Sequence, residues 1–477
     1  LASILRNYDP DILLTVWGDN WLIPYLQEQS RIHAFPLPLN REHRQETLFR
    51  RERSYFSYGQ VIYRDQQHHL YGRCHVDAYN ATLFHDYGLD GIYELSRVTA
   101  LPLQVVARVS PGSGISAMQM ITALRLGVLV PWHKQQAELV KSAAELLRAD
   151  QGGLVYQPKS GLHANVAELD FISMYPSIMV QHNISPETTF HPAGPGQGQP
   201  AGLIPQTLAP LLQKRIAIKQ RLTTIPSEDA RFRRYKAASS AHKWLLVTCF
   251  GYLGYKNARF GRIEAHEAVT AYGREALLRA KEAAEDAGFE VLHLYVDGIW
   301  AQRPDARPPG DLQPLLDEIN RRTGLPIALD GVYRWVAFLP SRLDSHLPVA
   351  NRYFGVFSNG VIKARGIEAR RRDTPRWIAE VQMELLNILA LAPDLEHAAR
   401  CLPQLVTRVK RALNDLWSYR VPVEHLVVAQ KLSRPVAEYR TASPAARAAA
   451  QLEAIGRSFR PGQMIRFVYV LGEPNVH

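Results

Sequence analysis

The amino-acid sequence predicts an α+β chain, and three observations carry that reading. Apolar, strand-like runs stand at residues 12–17, 165–169 and 291–300. Helical periodicity fills residues 205–222 and 228–250, and from residue 374 onward the chain is mostly helical, apart from short strands near 465–470. The 477 residues give room for roughly three domains. A hydrophobic fraction of 46% is enough for substantial cores and excludes a disordered chain.

Taken in order, Asp9-Pro10 reads as a turn that leads into a buried strand ending near Trp17. Residues 41–54 mix charges as a solvated surface does. Residues 89–106 read as one or two amphipathic helices, 110–116 as a loop rich in Gly and Ser, and 117–124 as a further helix. Residues 194–202, rich in Pro, Gly and Gln, read as a flexible connection. The helix over 205–222 carries Leu208, Leu211, Leu212 and Ile216. A tight turn at Pro226-Ser227 leads into the helix over 228–250, with Arg231, Arg233, Arg234, Lys236 and Lys243, so the two form an antiparallel hairpin. Residues 303–311 are a Pro-rich loop.

Lys and Arg number 56 against 45 Asp and Glu, a formal charge of +11. That balance favours a polyanionic partner, nucleic acid first and an anionic membrane second. No apolar run approaches membrane-spanning length, so no membrane partner is expected. Cys74, Cys249 and Cys401 lie far apart, without metal-ligand or disulfide spacing, as befits a reducing, intracellular setting such as the cytoplasm and nucleoid of a prokaryote. The chain opens at Leu1, without a methionine and inside a helical pattern, which points to a missing start; His477 follows soon after the last strands.

The strongest functional signal is a pair of aspartates with a cationic helix pattern between them. Asp170 stands in Leu169-Asp170-Phe171-Ile172-Ser173-Met174-Tyr175-Pro176-Ser177-Ile178 and Asp297 in Leu294-Tyr295-Val296-Asp297-Gly298-Ile299-Trp300. Two carboxylates from strand ends can hold a pair of magnesium ions, which drives in-line attack at phosphorus. A turn at Tyr175-Pro176-Ser177 would expose the N–H groups of residues 172–175 as a cradle for phosphate oxygens. Arg215 and Lys219, four apart, share a helix face, and Lys243, Val247 and Phe250 share another. Three cations converging from a hairpin can bind a triphosphate and neutralise the leaving pyrophosphate. Each feature has a plainer alternative: Asp170 as a helix cap, the cations as a solvated helix face, Asp297 as a hairpin turn that Gly298 favours.

Together these segments resemble family-B DNA polymerases. Asp170-Phe171-Ile172-Ser173-Met174-Tyr175-Pro176-Ser177 resembles motif A (D-x-x-S-L-Y-P-S), and Lys243-Trp244-Leu245-Leu246-Val247-Thr248-Cys249-Phe250-Gly251 resembles motif B (K-x-x-x-N-S-x-Y-G). Tyr295-Val296-Asp297-Gly298 is similar to a degenerate motif C (D-T-D-S). Lys363-Ala364-Arg365-Gly366-Ile367-Glu368 with Arg371-Arg372-Asp373 resembles the K-x-R-G-x-E…R-R-D segment. The resemblance runs from about residue 9 to about residue 469, with the motifs in family order.

The resemblance implies a right-hand polymerase fold: a degenerate, RNase H-like α/β exonuclease domain over 1–105, a palm over 106–203 and 266–375, fingers over 204–265 and a thumb over 376–477. It implies that Asp170 and Asp297, with the Phe171 carbonyl, bind two Mg2+ ions, for which Mn2+ can substitute. Ser173, Met174, Tyr175, Arg215, Lys219, Lys243, Val247, Phe250 and Gly251 would form the nucleotide site, with Tyr175 excluding a 2′-hydroxyl. Asn351, Arg352, Tyr353, Lys363, Arg365, Lys431, Arg434 and Tyr439 would contact DNA. The implied partners are primer–template DNA and deoxynucleoside triphosphates; the sequence specifies no clamp or accessory replication protein.

The departures are definite. Val247 replaces the Asn of motif B and Phe250 its Tyr; Asp150 replaces the Tyr of a Tyr-x-Gly-Gly element at Gln151-Gly152-Gly153. In motif C, Asp297 takes the second aspartate and Tyr295 the first. Residues 9–26 resemble the second exonuclease motif, but its metal-binding aspartate falls at Leu22, and no third motif is found between 60 and 130. The expectation is a DNA polymerase without 3′→5′ proofreading. The competing expectation is a catalytically inactive relative acting as a DNA-binding or scaffold subunit.

Overall fold

The computed structural model describes residues 1–42, 47–57, 60–132, 138–149, 151–189, 198–472 and 475–477. Asp150, part of the 41–54 charge patch and residues 194–197 of the 194–202 connection lie outside them. The chain forms two compact units, each from separated stretches: a first of Leu1–Arg53, Arg64–Gly152 and Tyr175–Ala271, and a second of Ser54–Tyr63, Gly153–Met174 and Tyr272–His477.

The second unit is built on an antiparallel sheet of seven strands: β1 (Val155–Tyr156), β2 (Gly161–Phe171), β3 (Glu290–Tyr295), β4 (Gly298–Gln302), β5 (Ile327–Pro340), β6 (Pro348–Phe357) and β7 (Ile362–Arg365), in the order β7-β6-β5-β2-β4-β3-β1. β2 is central, and Val166, Ala167 and Leu169 in it are fully buried. An apolar run of this kind suits a strand covered on both faces. Val166, Leu292, Trp300, Tyr333, Val336, Phe338, Tyr353 and Phe357 form one core cluster. Burying each large side chain of that set contributes roughly 1.5–3 kcal/mol. Residues 291–300 are not one strand but the β3–β4 hairpin, with Val296 and Asp297 at its turn.

C-terminal to the sheet lie helices Arg376–Ala390, Leu395–Arg400, Leu402–Trp417 and Pro444–Ala454. Strand Met464–Phe467, near the expected position, pairs with Val428–Lys431, a strand that the helical reading had not anticipated. Small residues let the last helix seat closely: Ala445, Ala448 and Ala449 pack with Val428, Ile465 and Phe467.

The first unit holds helices α1 (Pro111–Arg125), α2 (Leu203–Thr224) and α3 (Ala230–Leu253), and the start of α4 (Ile263–Asp286), which continues into the second unit. α2 and α3 make the expected hairpin; Asp229 caps α3 by accepting the N–H of Arg231 at 2.8 Å. The 110–116 loop is instead the start of α1. Pro111 takes the first helical position, where its missing N–H does no harm. Gly112 and Gly114 serve packing: a Cβ on Gly112 would meet the Tyr252 ring, and one on Gly114 would meet Leu245. Glu94, in helix Thr82–Thr99, accepts from Arg97 (2.8 Å), Lys214 of α2 (2.9 Å) and His242 of α3 (2.6 Å), tying the three helices together.

At the N-terminus, strand Ile12–Thr15 pairs in parallel with Cys74–Asp77. It is half-buried rather than buried, with Leu14 exposed. Beyond it Trp17 turns left-handed (φ 61°) into a single π-helical segment, Gly18–Leu22. Asp19, inside that segment, is fully buried and bonded to Arg108 (Nε, 2.9 Å; Nη2, 3.1 Å), the His68 N–H (2.8 Å) and Asn80 (2.8 Å). Burial works against its charge; the Arg108 guanidinium and the His68 N–H more than offset it, holding the carboxyl below its ordinary range. Among the described residues no helix is long and apolar enough to cross a membrane, and the three cysteines are free thiols.

Removing one partner of a buried ion pair leaves the other charge uncompensated. Asp19→Ala should therefore destabilise the protein by about 3–5 kcal/mol in denaturant titration; a loss under about 1 kcal/mol would show that the pair is not structural.

Candidate active site

β2 delivers Asp170 to the end of the sheet, and the β3–β4 hairpin delivers Asp297 beside it. Gly298 lies opposite Asp170 in register, and Leu169 opposite Ile299. Asp297 therefore sits at the turn that adjoins the end of β2. Its carbonyl accepts the Phe171 N–H at 3.0 Å, and its own N–H donates to Tyr295 at 2.7 Å, closing a three-residue turn. At the turn's centre Val296 holds φ 59°, a conformation that a β-branched residue adopts only under constraint. Its N–H donates to the Leu154 carbonyl at 3.0 Å. Tyr295 occupies the strand position just before the turn.

Asp170 is pushed up to about 7. Burial is the largest cause, followed by the charges of Asp297, Asp330 and Glu168; Lys363 opposes them. The sheet thus holds like charges together with incomplete compensation. Among the described residues no group of three or more His, Cys, Asp or Glu side chains is arranged to hold a metal ion. A two-carboxylate donor set nonetheless fits magnesium, which is commonly held by one or two carboxylates together with substrate phosphates.

Behind Asp170 lies a network that sequence reasoning missed. Glu168, two residues back on the same face of β2, is buried; it accepts from the Tyr333 hydroxyl (2.6 Å) and the Lys363 ammonium (2.8 Å), with the Tyr353 hydroxyl at 3.5 Å. Lys363 also donates to Asp330, which stands at a bulge in β5 between Leu329 and Gly331. A signal existed: an acid in an otherwise apolar strand needs a partner, the same argument that singled out Asp297.

The turn after motif A comes earlier than expected. Ser173 (φ 53°) reverses the chain directly into helix Met174–Gln181, so Tyr175, Pro176 and Ser177 are helical. The Ile172 N–H donates to the Pro326 carbonyl at 2.8 Å, which removes it from the anticipated phosphate cradle.

In the first unit the hairpin cations differ in setting. Arg215 is buried, and its Nε donates to the Ser239 carbonyl of α3 at 3.4 Å. Lys243 stands one turn beyond Ser239; it and Lys219 are exposed. Val247 is exposed, and Gly251 and Phe250 are half-buried. The Phe250 ring lies 4.2 Å from that of Tyr175.

Of the residues expected at DNA, Arg365, Lys431 and Arg434 are exposed, and Arg434 lies over the Tyr439 ring at 5.6 Å. Asn351 is half-buried with φ 55°. Tyr353 is buried, Lys363 is engaged by two carboxylates, and Arg352 donates to the Pro340 carbonyl.

The charge state of Asp170 yields a stability prediction. Between its ordinary value of 3.8 and about 7, the folded chain keeps a proton that the unfolded chain has released, so stability falls as pH rises through that window. Without divalent ions, Asp170→Asn should melt above wild type at pH 8, by about 2 °C or more, with the gap narrowing toward pH 5. Equal melting temperatures at pH 8 would contradict the burial and repulsion described above.

The sequence profile of DNA polymerase family B matches residues 118–199, 197–296 and 347–477. A DNA polymerase of Pyrococcus glycovorans is 27% identical over 549 residues, covering 99% of this chain and 66% of that protein. One from Archaeoglobus fulgidus is 24% identical over 527 residues, covering 100% and 64%. DNA polymerase 2 of Aeropyrum pernix is 28% identical over 394 residues, covering 80% and 46%. The family B DNA polymerase from the hyperthermophilic archaeon Pyrobaculum calidifontis shares the fold, with a TM-score of 0.65 at 24% identity over 99% of this chain and 66% of its own. This chain therefore spans less than two thirds of the length of each of these four relatives. With the profile matching well over half of its residues, the chain belongs to DNA polymerase family B.

Proposed function

We propose that this chain is a template-directed DNA polymerase that adds deoxynucleotides to a primer 3′-hydroxyl and lacks 3′→5′ proofreading. The observation that carries the reading is the Asp170–Asp297 pair, two carboxylates set together at adjoining strand ends, with Asp170 raised by burial and by the charge of Asp297. Asp170, Asp297 and the Phe171 carbonyl are the residues that would hold two Mg2+ or Mn2+ ions. When bound, such ions supply an activated primer hydroxyl and charge neutralisation on the pyrophosphate.

The remaining work falls to the chain's own side chains. Arg215, fixed by burial, and the exposed Lys219 and Lys243 bind the triphosphate and offset its charge. Ser173 and Met174 lie on the strand-to-helix reversal beside the phosphates. Tyr175 packs under the sugar and rejects a 2′-hydroxyl, with Phe250 against it. Val247 and Gly251 border the nascent base pair. Asn351, Arg352, Arg365, Lys431, Arg434 and Tyr439 form the DNA track, with Tyr353 buried behind it in the core; the exposed cations meet phosphates, so binding is sequence-tolerant and falls with salt.

In right-hand terms, residues 1–105 are the exonuclease-like remnant, 106–203 and 266–375 the palm, 204–265 the fingers and 376–477 the thumb. The loss of proofreading is supported by Leu22 at the position of a metal-binding aspartate and by the commitment of Asp19 to Arg108.

Primer extension with Mg2+ and then Mn2+ tests this. Asp170→Ala and Asp297→Ala should each slow extension by on the order of 10²-fold or more, while duplex affinity stays within about twofold. Wild-type protein given a mismatched primer and no nucleotide should leave it intact. Extension retained by either variant, or steady shortening of the mismatched primer, would count against the corresponding half of the proposal.

A further inference from the structure

Phe250 lies in the last turn of α3. It lacks the hydroxyl that motif B usually places there, so no side-chain hydrogen bond holds it. Its ring touches two others: Tyr175, at 4.2 Å between centroids and 37° between planes, and His266 of α4, at 4.2 Å and 18°. His266 is itself fixed from two directions. Its Nδ1 lies 3.2 Å from the Phe250 carbonyl, within hydrogen-bonding reach. Its ring lies against Gly254, one turn beyond Phe250, where a Cβ would come within 3.1 Å of the imidazole. The absence of a side chain at Gly254 makes the seat for His266, which lies against the Phe250 ring.

We infer that His266 is a positioning residue for sugar selection: it braces the Phe250 ring against Tyr175 and so fixes the side chain that rejects a 2′-hydroxyl. The inference rests on the reading of Tyr175 given above. Aromatic stacking prefers definite separations, and a well-filled interior resists displacement. A braced Tyr175 therefore meets an added hydroxyl with a clash, whereas an unbraced one yields. His266 touches neither nucleotide nor metal in this account. Its loss should alter discrimination between sugars far more than the turnover of deoxynucleotides.

The experiment compares single-nucleotide incorporation of a deoxynucleoside and the matching ribonucleoside triphosphate by the full chain. Wild type, Tyr175→Ala, His266→Ala, His266→Phe and His266→Asn are measured side by side. Tyr175→Ala should lose most of the preference for deoxynucleotides, which tests the underlying reading. His266→Ala should lower the ratio of deoxy to ribo kcat/KM by roughly threefold to tenfold, with deoxynucleotide kcat close to wild type. His266→Phe, which keeps a ring, should restore the ratio, and His266→Asn, which keeps a donor without a ring, should not. An unchanged ratio in His266→Ala beside a collapsed one in Tyr175→Ala overturns the bracing role alone. Restoration by Asn rather than Phe overturns it too, as does an equal fall for both nucleotides. A wild-type ratio in Tyr175→Ala, or no incorporation by wild type, overturns the reading beneath it.

Discussion

Ionised carboxylates repel, and a fold that sets two of them together in a partly dry place accepts a lasting electrostatic cost. That constraint organises the second unit. The pairing of β2 with β4 fixes Asp170 opposite Gly298 and leaves Asp297 at the adjoining turn. A strained Val296 and three backbone hydrogen bonds lock the turn. Lys363 supplies only part of the missing positive charge, because Glu168 and Asp330 already share it. An arrangement that stays short of compensation has room for cations brought by a substrate.

The N-terminal region handles the same problem in the opposite way. Asp19 is as deeply buried as a carboxylate can be, yet two bonds from Arg108 and one each from the His68 N–H and Asn80 satisfy it. An acid so paired is compensated within the fold. The contrast between Asp19, lowered by its partners, and Asp170, raised by burial and like charges, separates the two carboxylates more sharply than sequence position does.

Much of this was legible in the sequence, because the informative features are local. Asp170 could be placed at a strand end from the apolar residues before it, and the α2–α3 hairpin from helical spacing and the turn at Pro226-Ser227. What stayed hidden depends on contacts across long chain separations. Gly112 and Gly114 look like loop residues until Tyr252 and Leu245 are seen against them. Arg108 carries no sign of Asp19, and Glu168 no sign of Lys363, 195 positions away. The turn at Ile172-Ser173 was misplaced by two residues because Pro176 reads as a breaker, yet proline is harmless in the first turn of a helix.

The central claim is that Asp170 and Asp297 act jointly on divalent cations. Electron paramagnetic resonance of Mn2+ measures this directly, with primer–template and a non-hydrolysable deoxynucleotide present. Wild type should bind two coupled ions, and Asp170→Asn and Asp297→Asn should each lose that signature while still binding duplex. The same Mn2+ spectrum in wild type and both variants would contradict the account.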